Sequence, residues 1–224
     1  MRYVVMMPNP LNWALSSQAG HGRACDFCQC RRSKSEFCGT AFFEMLHAQR
    51  AILLFRLRPL DPHPQKRLSE IQAFNGFWKK KLNLAHVACH AVAEVSPSDS
   101  YIELSKGFCI SLQDMTVYKL QINNAPLIVL NGCHTGNIDP LYVSNIAGKF
   151  IESGARGVIA TECAVPDELA AEFTEQLYIR LLSGEELGAS LITARWHLLK
   201  NGSSPPTGLM YALYAPPHFR LSKE

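Results

Sequence analysis

A chain of 224 residues can bury the core of one α/β domain and is short for two. Apolar residues make up 47% against 18% charged, with no Gly/Ser-rich or Pro-rich tract, which excludes a disordered chain. The net charge of +3 comes from scattered lysines and arginines, apart from Lys79-Lys80-Lys81, so there is no basic stripe for nucleic acid. Apolar runs such as Pro126 to Leu130 fall far short of the ~18 residues needed to cross a bilayer. Met1-Arg2-Tyr3 leads directly into a strand-like segment. A cytoplasmic protein with no membrane association is expected. In that reducing compartment the eight cysteines are expected as core residues, metal ligands or a nucleophile rather than disulfides.

Arg2 to Met7 reads as a strand, ended by Pro8-Asn9-Pro10 because proline cannot donate to a ladder. From about His21 to Gly39 the chain is rich in Cys, Arg and Ser without apolar periodicity, which predicts an irregular insertion. Ala41 to Leu46 looks helical, and Ala51 to Leu57 fits either a helix continuation or a strand. Lys66 to Lys80 sets Leu68, Ile71, Phe74, Phe77 and Trp78 at helical spacing, with the basic run at the end where a helix dipole favours cations. Leu82 to Cys89, Pro126 to Leu130 and Gly157 to Thr161 are short, β-branched apolar runs separated by helix-like stretches, as parallel strands are. Runs apolar on both faces belong in the middle of a parallel sheet covered by helices on each side. Leu141 to Ser153, Asp167 to Leu182 and Glu185 to Leu199 supply helices, and Leu209 to Tyr214 a late strand.

Reactive groups of open α/β sheets gather beyond the carboxyl ends of the strands. His90 follows the first of the central runs and Cys133 the second, with Gly132 and Gly136 allowing the backbone to turn sharply around the cysteine. A strand, Cys-bearing loop and helix in that order would set Cys133 near positive backbone dipole, which favours thiolate. His86, Cys89 and His134 are sequence neighbours of this pair. Successive strand side chains point to opposite faces, so Cys89 and His90 would not touch while a strand persists. Taken singly, Cys133 reads equally as a buried small hydrophobe and His90 as a satisfied loop histidine. Their joint placement favours chemistry.

The order of motifs resembles the CHAT domains, caspase-like relatives of separase, over about Leu82 to Leu221. His86-Val87-Ala88-Cys89-His90-Ala91 is similar to the strand end carrying that family's catalytic histidine, which is His90 here. Leu130-Asn131-Gly132-Cys133-His134-Thr135-Gly136 is similar to its nucleophile loop, and to that of metacaspases. Gly154-Ala155-Arg156-Gly157-Val158-Ile159 is similar to its next strand, and Asp167 stands at the usual acidic position. The resemblance implies a single domain spanning residues 1–224, with a three-layer α/β/α caspase-like fold and a mostly parallel central sheet.

It further implies a cysteine endopeptidase in which Cys133 attacks the peptide carbonyl and His90 moves the proton, with no metal or organic cofactor. The oxyanion would rest on the backbone N–H groups of Cys133 and Ala91. Family members usually carry glycine where Ala91 stands, and alanine would be strained if that position requires positive φ. Glu162, just past the third central strand, is expected on the rim of the specificity pocket, where it would select a basic side chain. A loop carboxylate paired with Arg or Lys is the plainer alternative. The expected partners are a protein substrate and an activating or sensor protein, with no nucleic acid or membrane. Cys25, Cys28, Cys30 and Cys38, with His21, could hold one zinc, although Cys28 and Cys30 are crowded. Two rival readings follow: a catalytically silent protein-binding module, since fold does not guarantee activity, and a zinc-stapled adaptor.

Overall fold

The computed structural model describes residues 3–6, 52–55, 64–92, 99–105, 108–132, 145–200 and 207–221. The insertion with Cys25, Cys28, Cys30, Cys38 and His21, the helix expected at Ala41 to Leu46, Cys133 and the start of the helix expected from Leu141 lie outside the described residues.

Strands β1 (Tyr3–Met6), β2 (Ile52–Phe55), β3 (Leu84–Ala88), β7 (Leu127–Asn131), β8 (Gly157–Thr161) and β9 (Tyr211–Tyr214) form a six-stranded sheet in the order β2-β1-β3-β7-β8-β9. Every pairing is parallel except β8 with β9. The segment that fitted either helix or strand is therefore strand β2, a parallel neighbour of β1. The central strands are buried along their lengths, as sequences apolar on both faces require. Helices α1 (Pro64–Trp78), α2 (Leu112–Val117), α3 (Ile146–Glu152), α4 (Asp167–Ser183) and α5 (Leu187–Lys200) complete the framework.

Alternation along the strands sorts the core into two clusters. Ala85, Val87, Ile128, Leu130, Val158 and Ala160 pack with α1, α2 and α3. Leu84, Leu127, Val129 and Ile159 pack with α4 and α5 on the other face. Trp78 anchors the first cluster: it is fully buried, with edge-to-face contacts to Phe77 at 4.9 Å and Phe150 at 5.1 Å between ring centroids. Leu68, grouped with the apolar face of α1 by spacing, is 44% exposed, one turn before the packed part of the helix begins at Ile71. Asn123 and Asn124 take up the carbonyls at and just past the end of helix α1 at Trp78. The Asn123 amide donates to Trp78 O, and the two side chains donate to the carbonyls of Lys79 and Lys80. The Lys79-Lys80-Lys81 run thus lies just beyond the helix end.

The stretch between β3 and β7, expected as helix-like, carries three strands among its described residues. Strands β4 (His90–Val92), β5 (Tyr101–Ser105) and β6 (Phe108–Ser111) form a separate three-stranded antiparallel sheet, and only the short α2 follows. Its sequence signal was period two: Ile102 and Leu104, then Phe108 and Ile110, face the core in alternation. Helix α2 starts on a capping box in which Ser111 and Asp114 satisfy each other's backbone amides at 3.0 Å. Gly154 of the Gly154-Ala155 motif has φ +115, and a Cβ there would meet the Ile122 carbonyl at 2.6 Å, so only glycine fits this turn into β8.

Candidate active site

At the carboxyl end of β3 the chain changes sheets within one residue. Ala88 is the last residue of β3, opposite Asn131 of β7, and His90 is the first of β4. Cys89, the corner, donates its amide to the Asn131 carbonyl at 3.3 Å. This bond ties the two strand ends from which His90 and Gly132 follow. Cys89 itself is half-buried against the first core cluster, whereas His90 is exposed. The two do not share one strand: Cys89 is the corner after β3, and His90 opens β4.

His90 stands opposite Glu103 on β5, and Glu103 opposite Cys109 on β6. Directly opposed residues of antiparallel strands project to one side, so these form a polar row on the outer face of the small sheet. The alternate row, Ala91, Ile102 and Ile110, is buried. Burial first, then the Glu103 charge, pushes the Cys109 thiol up from its ordinary range. Ala91 pairs with Ile102 in an ordinary extended strand, and the described non-glycine residues with positive φ are Lys119, Asn124 and Ala125. The condition under which alanine would be strained at this position is therefore not met.

His86, the neighbouring candidate, is a core residue. Its ring is 3% exposed on the α4 side of the sheet, with Nδ1 3.1 Å from the Tyr178 hydroxyl. Burial pushes its pKa down to about 4, so the ring is neutral near neutrality. Burial also pushes the Tyr178 phenol up, with the neighbouring Tyr211 adding to the effect.

A wider set of buried and half-buried polar groups lies beyond His86, at the carboxyl ends of β7 and β8. Asn131 Nδ2 donates to Ala170 O at 3.4 Å and to Thr174 Oγ1 at 3.3 Å, and Asn131 Oδ1 accepts from the Tyr211 hydroxyl at 2.9 Å. Tyr211 is held flat against Phe173, with ring centroids 3.6 Å apart. Thr161, fully buried at the end of β8, donates its hydroxyl to the carbonyl of Gly132. None of these was singled out from sequence. Polar residues at the last position of otherwise apolar strands, Asn131 and Thr161, were the available signal.

Glu162 follows Thr161, half-buried, its amide donating to Met210 O at 2.7 Å. Its carboxylate accepts from the Tyr214 hydroxyl at 2.6 Å. Its described partner is thus a phenol rather than the Arg or Lys of the plainer alternative. Burial first, and then the bond to Glu162, push the Tyr214 phenol up, so it remains a donor. Among the described residues no group of His, Cys, Asp and Glu could hold a metal ion, and no helix is long and apolar enough to cross a membrane.

Over 101 residues, 44% of its length, the chain is 35% identical to a probable protease of Vitiosangium sp. (strain GDMCC 1.1324), of which it spans 13%. Its fold is similar to that of the Arg-specific cysteine proteinase gingipain R, with a TM-score of 0.58 at 12% identity, covering 98% of this chain and 47% of that one. It is also similar to separase in the Saccharomyces cerevisiae separase–securin complex, with a TM-score of 0.51 at 13% identity, covering 96% of this chain and 12% of that one. The chain therefore spans less than half the length of each of these proteins, and the likeness to the solved structures is one of fold alone, a mostly parallel α/β architecture. Residues 46–219 match the model of the CHAT domain, and the chain belongs to the CHAT domain family.

Proposed function

We propose that this chain is a cysteine endopeptidase acting through a dyad of Cys133 and His90. The observation that carries this reading is the bond from the Cys89 amide to the Asn131 carbonyl, which joins two parallel strand ends. His90 lies one residue past the donor of that bond, and Cys133 two past its acceptor. In the reaction, the Cys133 thiolate adds to the peptide carbonyl and His90 protonates the leaving amine as the C–N bond breaks. Water then adds to the thioester with His90 as base, releasing the acid and restoring the thiol. The amides of Cys133 and Ala91 would stabilise the oxyanion in both steps, and the extended backbone of Ala91 supports its competence. A reducing, cytoplasmic setting would keep the nucleophile a thiol. The substrate is a protein, delivered or licensed by an activating partner.

Glu162 in this reading faces the residue on the acyl side of the cleaved bond. A carboxylate held by the Tyr214 hydroxyl and set in a pocket wall would pair with an incoming guanidinium or ammonium and disfavour a neutral side chain. The test is turnover of a fluorogenic peptide panel carrying Arg, Lys, Leu or Asp before the cleavage point. Wild type should cleave the basic members, and Cys133→Ala and His90→Ala should each lose at least about a thousandfold, without the double variant losing more. Unchanged cleavage by either single variant would overturn the dyad.

A further inference from the structure

We infer that Thr161 is a positioning residue for the Gly132–Cys133 peptide, holding the oxyanion donor of the nucleophile in its productive direction. The inference rests on the reading of Cys133 as nucleophile and deepens it. The residues before Cys133 are gripped from several sides. The Asn131 carbonyl accepts from Cys89 at the corner after β3, its side chain is bonded to α4 and to Tyr211 on β9, and the Gly132 carbonyl accepts from the Thr161 hydroxyl on β8. Gly132 is buried, and a buried carbonyl requires a donor.

A trans peptide holds its C=O and N–H antiparallel, so the group that fixes the Gly132 carbonyl also fixes where the next amide is aimed. That amide belongs to Cys133. Glycine makes the restraint necessary, because with no Cβ it rotates cheaply and allows the peptide after it to flip. A flip would leave the thiol in place and turn the oxyanion donor away. Valine at 161 would keep the shape and strand preference of threonine and lose the donor. Thr161 lies on the α4 side of the sheet, whereas Glu162 packs with Tyr214 at the end of the same strand, so one strand end would serve the nucleophile and the pocket with successive residues.

The experiment compares Thr161→Val and Thr161→Ser with wild type in kcat and KM on the best peptide of the panel, and in the rate of Cys133 alkylation by iodoacetamide. Alkylation needs a reactive thiol and no oxyanion donor. Thr161→Val should lower kcat by roughly tenfold to a hundredfold, the usual scale for displacing a catalytic group without removing it. KM and the alkylation rate should stay within about twofold, and Thr161→Ser should regain most of the loss. Should the valine variant not fold, Thr161→Ala against Thr161→Ser gives the same contrast. Wild-type kcat in Thr161→Val, equal impairment of the valine and serine variants, or alkylation falling in step with kcat would each overturn the inference. Cleavage persisting in Cys133→Ala would instead overturn the function on which it rests.

Discussion

The two faces of the central sheet are packed on different principles. Toward α1 and α3 the strands present Ala85, Val87, Ile128, Leu130, Val158 and Ala160, a surface apolar from end to end and closed by Trp78 and Phe150. Toward α4 and α5 the same strands begin apolar, with Leu84, Leu127, Val129 and Ile159, and turn polar toward their carboxyl ends at His86, Asn131 and Thr161. Polar groups buried in a core must be bonded, and bonds fix geometry where apolar contacts only fill volume. The bonded face lies under the segment leading to Cys133. The contrast suggests a division of labour, one face supplying stability and the other direction.

Single substitutions can break that contrast. Trp78→Ala should cost about 3–5 kcal/mol in chemical denaturation, the range for emptying a fully buried aromatic site, and the loss should be the same at pH 7 and pH 5. On the bonded face the response to pH should differ. His86 is held near pKa 4 when folded and returns to about 6.5 when unfolded, so between those values the unfolded chain binds more protons. Its contribution is fully present above about pH 6.5 and is lost as pH falls toward 4, a swing of roughly 3 kcal/mol. Subtracting the stability curve of a His86→Phe variant from that of wild type should reveal a one-proton slope confined to that window. Parallel curves would mean that His86 is not held neutral by its surroundings.

Smaller changes sharpen the comparison. Tyr211→Phe keeps the stack on Phe173 and removes the donor to Asn131 Oδ1, which should cost about 1–2 kcal/mol in the denaturation midpoint. An unchanged midpoint would make that bond dispensable. Glu162→Gln keeps the size of the side chain and removes its charge. It should lower kcat/KM for an Arg peptide by about tenfold or more while leaving alkylation by iodoacetamide unaltered. Equal cleavage of Arg and Leu peptides by wild type would remove Glu162 from the pocket.

What was legible from sequence follows the same division. Strands β3, β7 and β8 could be read because residues apolar on both faces leave a continuous run, and α4 and α5 because their apolar positions recur over three or more turns. The small sheet β4 to β6 was missed because its strands are only three to five residues long and half-polar, and their alternation competes with a helix-like composition. Ordered motifs pointed to the candidate residues His90 and Ala91, and position just past the third central strand pointed to Glu162. The bonds beneath them were hidden, since Thr161 meets a carbonyl 29 residues away and Tyr211 an amide 80 away. Such contacts are made by the sheet order, which no local pattern encodes. Whether Ala91 requires positive φ was likewise closed to sequence: the chain enters a second sheet there, and a strand asks nothing unusual of alanine.

The most direct test of the central claim is to label the protein with a panel of peptidyl chloromethylketones and map the modified residue by mass spectrometry. The account predicts alkylation at Cys133, strongest with Arg or Lys next to the warhead, abolished in Cys133→Ala and retained in Cys89→Ala. Labelling that persists in Cys133→Ala and disappears in Cys89→Ala would contradict it.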